Sequence, residues 1–290
     1  IPTGSVLVSK EYENVSNGDP VTLQLLIKDA NGQYVPAVSD TVAEGGKVYA
    51  YYPYNGSAEN AKVITNGEFV VDPNTPVYVT GISMDSEYKI VELNTKTDYD
   101  VAFNNEKVNI QNGTATSPVY SMSGNDAVQA VTVTNTAKTA TLTISKDVTG
   151  YTPGNKTFEI KIIDSTGGLA GKTFGSATFE IMPDNTAQAT VSLSNGQSEQ
   201  IPGLPLQTSL TIQESETARQ DIDSDSQTPT KDYYLESTTY NGQSVASFPV
   251  TMDGNQTVKV VNNYKPYATV TIKKSVTGEM GSYSDWFNFS

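Results

Sequence analysis

The sequence contains no cysteine and no histidine. Without thiols no disulfide can form, so any covalent staple in this chain must use other chemistry. Zinc sites of the Cys/His kind are excluded, and so are the Ser-His-Asp and Cys-His forms of nucleophilic catalysis. Arginine occurs once, at Arg219, and the 18 basic residues form no stripe. Nucleic acid is therefore not an expected partner, because phosphate contacts need clustered Lys and Arg. No apolar run approaches ~18 residues, so no membrane-spanning helix is expected. The chain opens on Ile1 with no signal-like apolar run before it, which fits a processed or excised chain.

What is present is a 290-residue acidic chain of net charge −14 with 37% apolar residues. That suits two domains of ordinary size. Turn signals are dense: Asn-Gly occurs at 17, 31, 55, 66, 112, 195 and 241. Asn-Gly favours tight hairpins, because both central residues accept positive φ. Between the turns lie short alternating runs rich in Thr, Val, Ile and Tyr, such as "VTLQLLIKD", "PVYVTGI", "TFEIKIID", "SATFEIM" and "ATVSL". Strands favour these residues. No helical period of useful length appears. The fold class expected is all-β, as tandem β-sandwiches.

The run "TLTISKDVTG" carries a conflict. Leu142, Ile144 and Lys146 share a phase, so a lysine falls on the face that should meet a core. A buried ammonium is costly unless it is paired or loses its charge. A lone case would read as a strand end with a snorkelling lysine. The unit recurs, however, in "SVLVSKEYE", with Val6, Val8 and Lys10 in phase, and in "TVTIKKSVTG", with Val270, Ile272 and Lys274 in phase. Spacings of that size suit whole domains.

Two further matches fix the repeat. "GISMDSEYKIVE" and "GLPLQTSLTIQE" each place a glutamate 11 residues after a glycine, Glu92 after Gly81 and Glu214 after Gly203. Glu92 is in phase with Tyr88 and Ile90, and Glu214 with Leu210 and Ile212. "AVTVTNTAK" puts Asn135 in phase with Val131 and Val133; "TVKVVNNYK" puts Asn262 in phase with Val258 and Val260. Counting back from the next lysine would select Asn263 instead; the need for an inward face favours Asn262. The domains expected are 1–137 and 138–265, with 266–290 as the truncated start of a third.

Lysine, glutamate and asparagine together have a chemistry. The amine can attack the asparagine amide and expel ammonia, leaving an isopeptide bond. Burial lowers the lysine pKa toward a neutral nucleophile and raises that of the glutamate toward a proton donor. Lys10 with Asn135 and Lys146 with Asn262 are thus candidate cross-links, with Glu92 and Glu214 as the candidate catalytic acids. The plainer alternative is a buried Lys–Glu pair beside a hydrogen-bonding asparagine.

On "TLTISKDVTG", "SLSNGQSEQIPGLPLQTSLTIQE" and "VKVVNNYK", and more loosely on "VLVSKEYE", "GISMDSEYKIVE" and "VTVTNTAK", the sequence resembles the isopeptide-bonded Cna B-type and FctA-like pilin domains of Gram-positive surface proteins. The resemblance implies Ig-like sandwiches in an extracellular, cell-surface pilus subunit or adhesin stalk. Partners implied are other pilin subunits or the cell wall through sortase. No cofactor or metal is expected, and no enzymatic activity beyond single-turnover autocatalytic cross-linking. No LPxTG-type signal with an apolar tail is present, and "YYPYN" at 51–55 resembles a pilin polymerisation motif without its lysine.

Other signals compete. "TGGLAGKTF" (166–174) nearly spells a phosphate loop, but Thr166 stands where glycine is needed and a strand-like run follows. Asp221, Asp223 and Asp225 have calcium-loop spacing, with Ser226 in place of the turn glycine. The tyrosines of "YAYYPY" could stack on a sugar or pack on a sheet. An adhesin module gripping a glycan or host matrix protein is therefore the alternative function. A secreted hydrolase using two carboxylates is a third.

Overall fold

The computed structural model describes residues 2–15, 18–40, 46–123, 128–222, 231–268, 270–275 and 277–278. The chain is all-β apart from two single turns of 3₁₀ helix among the described residues. Among the described residues, strands up to Ala137 pair only with one another, and strands from Thr139 to Pro266 do the same.

The first sandwich places its opening strand, Thr3–Glu13, between the closing strand Val128–Ala137 and Val77–Ser83. Tyr99–Phe103 lies beyond the closing strand, and Ala50–Pro53 beyond Val77–Ser83. The facing sheet is centred on Val21–Lys28 and Ser86–Glu92. The second sandwich repeats the order. Its opening strand Thr139–Thr149 lies between the closing strand Gln256–Pro266 and Gln197–Pro205, with Tyr233–Tyr240 beyond the closing strand. Its facing sheet is centred on Thr157–Asp164 and Ser209–Glu214.

The opening and closing strands of each sandwich are parallel neighbours in the middle of a sheet. Hairpins cannot make such a pair, so the whole of each sandwich intervenes between its two members. Alternation along these strands is regular. Val6, Val8, Leu142 and Ile144 are fully buried, each worth roughly 1.5–3 kcal/mol of apolar burial. That burial holds the phase that carries Lys10 and Lys146 inward.

The paired glycines have a structural task. Pairing slips by one residue between Gly4 and Ser5 against the strand holding Gly81, and between Ala140 and Leu142 against the strand holding Gly203. Both glycines take positive φ, +93° and +81°. Each marks a β-bulge, which L residues with side chains resist.

Two expectations are corrected. "SATFEIM" is not one strand. Ala177–Thr178 pairs with Thr173–Phe174, whereas Glu180–Ile181 pairs with Ala187–Ser194. Phe179 between them is fully buried, and its N–H donates to the Lys172 carbonyl at 2.9 Å. Its own carbonyl accepts from the Gly171 N–H at 2.8 Å, so the backbone here pairs with the 171–172 loop and leaves the ladder. Nor does every Asn-Gly form a tight hairpin. Asn112-Gly113 and Asn241-Gly242 take positive φ at both residues. At Asn195-Gly196 only the glycine does, and the turn carries the chain from one sheet to the other. Asn17 lies outside the described residues. Asn104-Asn105 makes a tight turn that was not expected, both residues having positive φ.

The described part of 267–278 carries no strand, and Val270 and Ile272 are exposed. The rest of the expected third unit lies outside the described residues.

Candidate functional site

Each sandwich brings its lysine, glutamate and asparagine together inside the core. Lys10 pairs in register with Val133, and Asn135 lies two residues further along the same neighbouring strand. Lys146 pairs with Val260, and Asn262 again lies two residues further. A two-residue offset keeps both side chains on one face, because successive strand residues alternate. The glutamates come from the facing sheets. Glu92 ends Ser86–Glu92 and Glu214 ends Ser209–Glu214. All six residues are at most 3% exposed.

In the first sandwich, Lys10 Nζ is 3.1 Å from Glu92 Oε2, and Asn135 Nδ2 donates to Glu92 Oε1 at 2.7 Å. Lys10 Nζ also lies 4.7 Å from the centre of the Tyr12 ring. In the second, Lys146 Nζ is 3.2 Å from Glu214 Oε1, and Asn262 Nδ2 donates to that same oxygen at 3.1 Å. Phe158 covers the amine at 4.7 Å. The carboxyl therefore bridges amine and amide nitrogen in both.

Burial pushes the Lys10 amine below its ordinary value, and Glu92 only partly opposes it. Burial brings Lys146 down to about 8, again against Glu214. The Glu214 carboxyl is raised, chiefly by burial. Both partners of the second pair are thus moved toward their neutral forms, the direction desolvation requires.

The sites differ in surroundings. Glu92 and Asn135 border a cavity of about 260 Å³ shared with Tyr12, Asp19 and Tyr99. The second site abuts a small apolar cluster of Val148, Phe158, Ala218, Ile222 and Tyr264. Two residues that the sequence reading did not single out also touch it. The Glu214 backbone N–H donates to Tyr240 Oη at 2.8 Å, and Thr238 Oγ1 donates to Asn262 Oδ1 at 2.9 Å. Their signal was the period of two in "STTY", which puts Thr238 and Tyr240 on one face.

Asn263 faces the other way. Its Nδ2 donates to Ser237 Oγ at 3.0 Å, and its Oδ1 accepts from Thr149 at 2.7 Å. Glu92 and Glu214 lie in separate sandwiches, so they form no hydrolase-like carboxylate pair.

The competing motifs have local explanations. In 166–174, the N–H groups of Thr166 and Leu169 donate to the buried Asp164 carboxylate at 2.9 Å each. The loop thus grips an anion belonging to the protein itself, and no helix follows it. Asp221 accepts from the Leu235 N–H and from Tyr267 Oη; Asp223, Asp225 and Ser226 lie outside the described residues. Among the described residues no cluster of three or more Asp or Glu could hold a metal, and no helix is long and apolar enough to cross a membrane. In the tyrosine cluster, Tyr49 is buried, Tyr51 packs on Phe69 and Tyr52 on Tyr78; Tyr54 is exposed.

Residues 140–264 match a family described as a domain of unknown function, DUF7601. The match spans the second sandwich. Among solved structures, a major pilin (T3.2) of Streptococcus pyogenes shares 14% identity over 90% of this chain and 98% of its own, with a TM-score of 0.39. The shaft pilin SpaA of Lactobacillus rhamnosus GG shares 14% over 93% and 100%, with a TM-score of 0.28. The pilus-presented adhesin Spy0125 (Cpa) shares 20% over 63% of this chain, with a TM-score of 0.34; the chain spans 37% of that protein's length. Comparison with curated proteins finds no match.

Proposed function

We propose that this chain is a load-bearing segment of an extracellular stalk, a pilus subunit or adhesin shaft. Each sandwich, 1–137 and 138–265, is closed by a self-formed isopeptide bond, Lys10 to Asn135 and Lys146 to Asn262. The observation that carries the reading is one constellation built twice, at the same register offset, on the first and last strands of each sandwich.

The step balances within the site. A proton passes from the lysine ammonium to the glutamate, leaving an amine and a carboxylic acid with no net exchange with solvent. The lysine Nζ then attacks the asparagine Cγ. The Cγ–Nδ2 bond breaks, and the glutamate gives its proton to the leaving nitrogen while recovering one from the attacking nitrogen. Ammonia departs and an amide remains. Contact of one carboxyl with both nitrogens supports this relay. Folding supplies proximity, worth up to ~7–11 kcal/mol of barrier. No cofactor or helper enzyme takes part, and each site turns over once.

Other pilin subunits or the cell wall, joined through a sortase, are the partners of this reading; the cell surface is its location. The test is intact mass with peptide mapping. The folded chain should fall short of its sequence mass by two ammonias, with branched peptides joining Lys10 to Asn135 and Lys146 to Asn262. A homogeneous folded protein of full mass overturns the reading, and a branch at Asn263 overturns the second assignment.

A further inference from the structure

The two sites share strands, register and residue types, yet they treat the amide oxygen differently. Asn262 Oδ1 accepts from Thr238 Oγ1 at 2.9 Å, both residues being buried. Thr238 sits directly opposite Asn262 in the ladder between Tyr233–Tyr240 and the closing strand. In the first sandwich the residue opposite Asn135 in the equivalent ladder is Val101. Val101 is fully buried and has no polar side-chain atom, and among the described residues the buried Asn135 Oδ1 has no hydrogen-bond partner.

That oxygen is where charge develops. As the lysine nitrogen adds to Cγ, the carbonyl π electrons move onto Oδ1. The oxygen gains negative charge in a site screened from water. A donor already aimed at it stabilises the transition state more than the ground state. The Thr238 hydroxyl needs no reorganisation to do this, because burial and the facing ladder hold it. With the Glu214 contact to Nδ2, it also fixes which end of the amide faces the acid.

We propose that Thr238 is a polarising hydrogen-bond donor for the second cross-link, and that Val101 leaves the first without one. The inference rests on the cross-link reading above. Removing one preorganised donor to a developing oxyanion costs on the order of 100-fold in rate. Thr238→Val should slow the second reaction by about that factor, Thr238→Ser should restore most of the rate, and Val101→Thr should accelerate the first.

The experiment refolds the full chain, isolated unfolded and unreacted, by dilution from denaturant. Intact mass counts ammonias lost over time, peptide mapping assigns each to its site, and circular dichroism follows folding in parallel. The expected result is a Thr238→Val chain that folds at the wild-type rate while its second ammonia loss lags. A wild-type rate of loss in that variant overturns the proposal and leaves the cross-link reading standing. So does a loss that lags only as much as folding itself. If Thr238→Val fails to fold, Val101→Thr decides: acceleration at the first site supports the proposal, and an unchanged rate overturns it. Absence of ammonia loss from every chain overturns the cross-link reading and this inference with it.

Discussion

Under tension, force enters the second sandwich at Thr139 and leaves at Pro266. Lys146 and Asn262 lie on adjacent parallel strands two residues out of register, so their Cα atoms are only ~8 Å apart from strand spacing and rise. They are 116 residues apart in sequence. A chain of that length extends to roughly 390 Å at ~3.4 Å per residue. The proposed isopeptide bond would pass force directly from the opening to the closing strand, and none of that length would be released. By the loop-entropy account the bond would also add about 5 kcal/mol through the unfolded state. The perturbation is Glu214→Gln, which keeps shape but cannot relay a proton. In single-molecule pulling, the variant should show one step of roughly 380 Å, the extended length less the folded separation. Wild-type chains should show no step of that size below covalent rupture. A wild-type step of about 380 Å at ordinary unfolding forces would refute the load path, even with the bond detected by mass.

Three more predictions concern separate parts of the molecule. Glu92→Ala and Glu214→Ala should each restore one ammonia, in its own sandwich only; restoration at both sites by a single change would show that the sites are coupled. In Asn262→Ala, which cannot cross-link, burial should hold the folded Lys146 amine at the native site's value of about 8, below its ordinary 10.5. Between those values the unfolded chain binds more protons, so second-sandwich stability should rise with pH by about 1.4 kcal/mol per unit and be lost as pH falls. Glu214, raised by burial, has the opposite slope: the folded form keeps the extra proton, so stability climbs again as pH drops through its raised value. Urea midpoints should therefore pass through a minimum, and a flat profile from about pH 5 to about pH 10 would contradict the neutralised pair. Gly81→Ala should cost more than Gly203→Ala: a Cβ at 81 would stand 2.1 Å from the Val48 carbonyl oxygen, whereas at 203 its nearest neighbour is Phe174 Cδ1 at 3.8 Å. Only backbone strain of ~1–3 kcal/mol remains at 203, so equal losses in thermal unfolding would show that the contact at 81 relaxes freely.

Much of this was legible locally. A strand exposes alternate residues to alternate faces, so Val6, Val8 and Lys10 had to share a fate, as did Leu142, Ile144 and Lys146. The same rule separated Asn262 from Asn263 without coordinates, because one step along a strand reverses the face. The glycine-to-glutamate spacing was visible too, but its meaning was not: the bulges at Gly81 and Gly203 are slips between strands distant in sequence.

What the linear pattern could not carry was adjacency. Nothing in "TLTISKDVTG" says that its neighbour will be "TVKVVNNYK", more than a hundred residues away and parallel to it, or that Glu214 arrives from the opposite sheet. Those relations follow from the order in which strands join to bury both apolar faces at once. The same holds for single residues. Phe179 interrupts a well-patterned strand because its N–H and carbonyl bond Lys172 and Gly171, a loop that the pattern does not place beside it. Thr238 and Val101 are unremarkable in their own strands, and their difference matters only because each lies opposite an asparagine. Period and phase are short-range properties of one chain segment, set by its own backbone geometry. Which segments meet is a property of the packed sandwich, and there the tertiary structure alone decides which carbonyl oxygen has a donor.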